Sequence, residues 1–217
     1  MSIFNKRDAY GAVAIILHWL LFLLIAGLVV SGKYSDSLPT NGKDFQIIGI
    51  HKQVGVAVFM LMVFRLLWRM INRAPDNLEG GFPAMIQFLV HWLLYLTVLG
   101  QALIGMSMSQ LSGLKVSLLG WELPQIFDSP LPELLDPAGI LPWLSFFDDT
   151  PKATAFMLRE WHEIGGWLII GLVGFHFLGA MYHWILLKDD AIKRMWFGYV
   201  PGYARSKVAD LMAKRKR

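Results

Sequence analysis

Four long apolar runs constrain this chain more than any other feature. Residues 11–32, 47–71, 84–109 and 162–187 are each long enough, at about 1.5 Å per residue, to cross about 30 Å of hydrocarbon. Inside lipid every backbone N–H and C=O must find its partner within the protein, so such runs fold as helices. The expectation is therefore an all-α membrane protein, a four-transmembrane-helix bundle forming one domain over 1–217. With 217 residues, 55% of them hydrophobic, the chain is too apolar for an ordinary soluble domain and too short for two large ones. The first run, within "MSIFNKRDAYGAVAIILHWLLFLLIAGLVVSG", has no small-residue cleavage site before the following loop and is expected to be retained as a helix.

Charge orients the bundle. One side carries Lys6, Arg7, Arg65, Arg69, Arg73 and the basic tail 188–217, together 14 of the 20 basic residues against 6 acids. The other side carries 6 basic and 10 acidic residues. By the positive-inside rule both termini are expected to face the cytoplasm. The tail reads as a topology anchor against anionic lipid, not as a nucleic-acid patch. The connections at 33–46 and 72–83 are short, and the outer one at 110–161 is long. That long loop holds Pro124, Pro130, Pro132, Pro137, Pro142 and Pro151, with Trp121, Phe127, Trp143, Phe146 and Phe147 between them. Prolines at this density break long helices, and aromatics favour the membrane interface, so short helical turns forming a lid over the outer end are expected.

The chain has no cysteine. Thiolate haem ligation, cysteine-ligated iron–sulfur clusters, disulfides and covalent c-type haem attachment are all excluded. Histidine is the strong metal ligand that remains, and all six histidines fall within or at the edge of the spans. His162, His176 and His183 lie on one stripe of the fourth, within about 60° of one another. A polar ring at that depth is costly and is generally retained for function.

Depth separates these rings into tiers. His162 and His176 are about 21 Å apart along one helix, which suits two sites near the two membrane faces. His51 enters its span from outside and matches His162. His18 is about 10 Å in from the cytoplasmic boundary and His176 about 16 Å, which pairs those two. Two neutral imidazoles facing each other across a bundle make an axial pair for a haem iron. Zinc is a poorer fit, because it wants three or four ligands and usually a carboxylate or thiolate among them. Only Glu163 stands beside the outer pair. His91 lies near the cytoplasmic face and competes for the inner ligand position. Gly55, Gly165, Gly166, Gly171, Gly174 and Gly179 lie near the ligands, where a missing side chain admits a flat cofactor or simply close helix packing. Arg65, 14 residues after His51, is placed to meet a haem propionate or to snorkel at the interface.

The segments "ILHWLLFLLIAGLVVSG", "IGIHKQVGVAVFMLMVFRLLWR", "FLVHWLLYLTVLGQALIGMSMS" and "EWHEIGGWLIIGLVGFHFLGAMYHWILLKDD" resemble the four spans of the bacterial cytochrome b561 family, relatives of hydrogenase-linked cytochrome b subunits. The resemblance implies a four-helix bundle with two haem b groups, His18 with His176 for the inner and His51 with His162 for the outer. It also implies electron transport between the outer face and a quinone, with superoxide as donor and ubiquinone as acceptor in members that resemble a superoxide oxidase. Superoxide would need local positive charge on a net negative face, for which Lys52, Lys33 and Lys115 are the candidates, Lys52 first. His183 and His91 are placed to hydrogen-bond a quinone carbonyl and deliver a proton. Two other readings compete with this oxidoreductase. One is an electron-transfer subunit docking a periplasmic redox protein or hydrogenase, and the other is a membrane metal-binding or transport protein.

Overall fold

The computed structural model describes residues 2–38, 45–75, 81–127, 150–197 and 199. Four helices in it are long and apolar enough to cross a membrane. They are α1 (Ala12–Ser37), α2 (Phe45–Ile71), α3 (Phe82–Leu111) and α4 (Pro151–Tyr182), the last continued by a π-helical turn over His183–Leu187. The second half of the long outer connection and most of the basic tail lie outside the described residues.

Two details of the connections differ from expectation. Helix α4 starts at Pro151, eleven residues before the expected start of the span, because Thr150 caps it by accepting from the Ala153 N–H at 3.2 Å. Proline at the first position costs nothing there, since its missing N–H would have had no helical partner. The first half of the long outer connection is not helical turns but a short antiparallel hairpin, β1 (Ser117–Leu118) with β2 (Trp121–Glu122). Leu119 and Gly120 form its two-residue turn, both with positive φ as such a turn requires. The chain after the hairpin folds back onto the outer end of α3. Gln110 binds it by accepting from the backbone N–H groups of Ile126 and Phe127 at 3.0 Å each and donating to the Pro124 carbonyl at 2.9 Å.

The bundle is asymmetric. α3 packs along α4 most extensively, α1 along α2, and α2 along α3, whereas α4 makes hardly any close backbone approach to α1 or α2. A gap therefore runs between α4 and the first two helices. Midway along it sits the buried apolar core of Leu21, Val58, Met62, Tyr95, Val98 and Ile169. Ile169 lies seven residues from His162 and seven from His176, so this core separates an outer from an inner level. Outward faces carry large exposed apolar side chains such as Leu23, Leu96 and Leu178, which suit a hydrocarbon surround. At the inner end, the Asn5 side chain donates to the Asn72 and Arg73 carbonyls, at 3.3 and 3.2 Å, and ties the start of α1 to the end of α2.

Candidate functional site

Two pairs of imidazoles face each other across the gap. His51 on α2 and His162 on α4 have ring centroids 6.2 Å apart with planes at 72°. His18 on α1 and His176 on α4 are likewise 6.2 Å apart, with planes at 60°. With a metal–nitrogen bond of about 2 Å and the ring nitrogen about 1 Å from its centre, two imidazoles across one iron stand about 6 Å apart. Both pairs match that separation. His91 on α3 also reaches His176, edge-on at 4.9 Å, which leaves too little room for an iron between them.

The outer pair lines a cavity of about 660 Å³, within the usual range for a small-molecule or cofactor site. Each of its rings is seated against a glycine of a neighbouring helix. A Cβ at Gly32 on α1 would meet His51 Cε1 at 3.4 Å, and one at Gly105 on α3 would meet His162 Cε1 at 2.9 Å. His51 Nδ1 lies 3.0 Å from the Ser31 hydroxyl, which is itself 3.1 Å from the Leu28 carbonyl. His162 Nδ1 is buried and has no hydrogen-bond partner. The cavity and the ring spacing fit a flat cofactor that His51 and His162 would hold between them.

Gln101 of α3 is a polar side chain that the sequence pattern does not single out. It donates to the His162 carbonyl, and its Oε1 occupies the space a side chain at Gly165 would need. Gly165 is thus a seat for Gln101, whereas Gly55, Gly171, Gly174 and Gly179 face open space, where an added methyl group would find no neighbouring side chain within 4 Å.

The inner level is more crowded. Arg65 Nη2 approaches His18 Nδ1 at 3.2 Å, and its Nε donates to the Tyr95 hydroxyl at 3.0 Å. A guanidinium can only donate, so here His18 Nδ1 accepts and the ring proton sits on Nε2. Ligation through Nε2 would require that proton to move to Nδ1 and Arg65 to turn away. His91 is held the opposite way. Its Nδ1–H donates to the Gln87 carbonyl at 2.6 Å, which leaves Nε2 with a free lone pair. Spacing thus favours His18 opposite His176, while the ring proton favours His91.

His183 ends α4 where the helix widens into its π turn. Its carbonyl accepts from Asp189 N at 3.2 Å, and Lys188 takes a left-handed conformation (φ 52°) that brings Asp189 back. Asp189 Oδ2 then lies 2.6 Å from His183 Nδ1, and Oδ1 accepts from Ala191 N at 2.9 Å. Such π turns occur frequently at functional sites.

The cations around the outer cavity sort by partner. Lys115 is paired with Glu122 at 2.8 Å, and Lys33 lies between Asp36 and Glu163, at 3.9 and 3.7 Å, over the Trp167 ring. Lys52 lines the cavity and donates to the Lys115 carbonyl at 3.1 Å, a bond that leaves its charge unneutralised. Lys152 and Arg159 also line it, and among the described residues neither has a carboxylate partner. A fourth span taken to begin at residue 162 leaves both in the preceding loop, and only the earlier start of α4 brings them to the cavity. Among the described residues no group of three or more His, Cys, Asp or Glu side chains is arranged to hold a bare metal ion.

Residues 9–198 match the family model described as prokaryotic cytochrome b561. The chain is 28% identical over 198 residues to "Cytochrome b561 homolog 2" of Escherichia coli K12, covering 90% of this chain and 95% of that one. It is 26% identical over 201 residues to "Cytochrome b561 homolog 1" of the same organism, covering 90% and 97%. It is 25% identical over 190 residues to "Probable superoxide oxidase CybB" of Yersinia pestis, covering 86% and 94%.

Proposed function

The chain belongs to the prokaryotic cytochrome b561 family, membrane b-type cytochromes of electron transfer, and we propose that it holds two haem b groups and passes electrons from the outer face to a quinone. The observation that carries this reading is the repetition of one arrangement at two depths: a histidine pair 6.2 Å apart on either side of an apolar core. Non-covalent haem held by such pairs supplies a one-electron ferric–ferrous couple. His51 and His162 are the outer ligands, His18 and His176 the inner. Arg65 is then the nearest cation for an inner propionate, once released from His18.

Superoxide is the proposed donor, by analogy with the Yersinia pestis relative named probable superoxide oxidase. Lys52, Lys152 and Arg159 draw the anion to the outer cavity, and each superoxide that gives up one electron leaves as dioxygen. Ubiquinone takes two electrons and two protons. His183, braced by Asp189, positions the quinone oxygen and delivers a proton at the inner face. Both termini lie in the cytoplasm and the membrane is the bacterial inner membrane, as the charge distribution supports.

The test is a pyridine haemochrome count, which should give about two haems per chain, followed by reduction with superoxide and re-oxidation with ubiquinone. A count near one refutes the pairing, and near zero the whole reading. A second reading, an electron-transfer subunit without substrate chemistry, is favoured by Leu119 and Trp121, 85% and 82% exposed on the outer hairpin. Co-purification of a periplasmic redox protein, together with no reduction by superoxide, would select it.

A further inference from the structure

The two outer histidines are not equivalent, and the difference lies in a residue on a third helix. An imidazole that binds metal through Nε2 carries its proton on Nδ1, and that proton needs an acceptor. His51 has one at hand in the Ser31 hydroxyl, 3.0 Å from Nδ1. That hydroxyl has a single proton, and the Leu28 carbonyl one turn back on α1 stands 3.1 Å away to take it. The chain His51 Nδ1–H to Ser31 Oγ, then Ser31 O–H to Leu28 O, uses every donor once. It is the arrangement that leaves Nε2 free as a lone pair. The adjacent Gly32 completes the fit, since the His51 ring edge rests where a larger side chain would touch it. His162 has no counterpart, its Nδ1 being buried without a partner, and the Arg65 contact on His18 sets the ring proton on Nε2.

We infer that Ser31 is a positioning residue for the outer haem, presetting the His51 ring proton and raising the donor strength of its free nitrogen. This rests on the axial pair proposed above. A stronger imidazole donor stabilises ferric iron more than ferrous, so the Ser31 contact lowers the outer midpoint potential. Partners of this kind are typically worth about 10- to 100-fold in metal affinity. If the loss falls on the ferric form by about 10-fold, the outer midpoint rises by about 59 mV for a one-electron couple.

The experiment is a redox titration of purified wild-type, Ser31→Ala and Ser31→Thr protein, each with a haem count. The outer component is identified beforehand as the one that His51→Ala removes. Ser31→Ala is expected to raise the outer midpoint and leave the inner one unchanged, and Ser31→Thr, which keeps a hydroxyl, to restore the wild-type value. If Ser31→Ala loses the outer haem outright, retention by Ser31→Thr with a wild-type midpoint supports the inference, and equal loss in both variants overturns it. An unshifted outer midpoint in Ser31→Ala with both haems present also overturns it. Wild-type protein with fewer than two haems would instead overturn the axial pairing on which it rests.

Discussion

Replacing Gly105 by alanine should damage the outer level alone. The new methyl group would lie 2.9 Å from His162 Cε1 and 3.4 Å from its Nδ1, against about 3.5–4.0 Å for a comfortable contact. α3 cannot retreat easily, because its packing against α4 is the most extensive helix contact of the bundle. The His162 ring can turn aside, and that relieves the clash in the cofactor-free protein at little cost to the fold. It then no longer faces His51, so the strain appears in ligation. Overpacking of this kind costs about 1–3 kcal/mol. At about 1.4 kcal/mol per tenfold, haem affinity at the outer level should fall by about 5- to 150-fold. The same change at Gly32 meets His51 Cε1 at 3.4 Å, which a few tenths of an ångström of movement relieves, and should cost far less. The assay is haem re-binding to extracted protein, read as the two components of a redox titration, with thermal unfolding as the check on the fold. Wild-type outer affinity in Gly105→Ala, or an equal loss in Gly32→Ala, would refute the reasoning.

Other changes separate the remaining roles. His18→Ala and His176→Ala should each remove the inner spectral component and spare the outer one, while His91→Ala spares both; the reverse outcome for His18 and His91 would show that ring-proton placement, not spacing, selects the ligand. Asp189→Asn should keep both haems and slow re-oxidation by ubiquinone by about 10-fold, as should His183→Ala, because each removes part of one positioned proton donor; stopped-flow traces that match wild type would place the quinone elsewhere. Neutralising both Lys152 and Arg159 to glutamine should slow reduction by superoxide, and raising ionic strength should slow the wild type towards the variant. A salt-independent rate would remove the steering role.

Much of this is legible in the order of residues. Runs of apolar side chains have no fold open to them in lipid other than a helix, so the four spans can be counted. The 14-residue step from His162 to His176 preserves helical face, so two levels follow from arithmetic. What stays hidden depends on neighbouring helices. Gly32 and Gly105 look like any small residue in a membrane helix until rotation about each axis brings them beneath His51 and His162. Ser31 and Gln101 act on partners 20 and 61 positions away in the chain, and nothing local marks them. The early start of α4 has a visible signal, Thr150–Pro151, but the neighbouring prolines and aromatics outweigh it.

The apolar core between the histidine levels also acts as the dielectric of a capacitor. Along α4 the two levels are about 21 Å apart, roughly two-thirds of about 30 Å of hydrocarbon, so an electron passing between them crosses about that share of the transmembrane voltage. A full crossing is worth about 2.3 kcal/mol per 100 mV, which makes each transfer about 1.5 kcal/mol per 100 mV. With the termini in a negative cytoplasm, as proposed, inward electron flow would run against the field. An energised membrane would therefore hold back quinone reduction by an outer donor, and a discharged one would release it, with no side chain changing place.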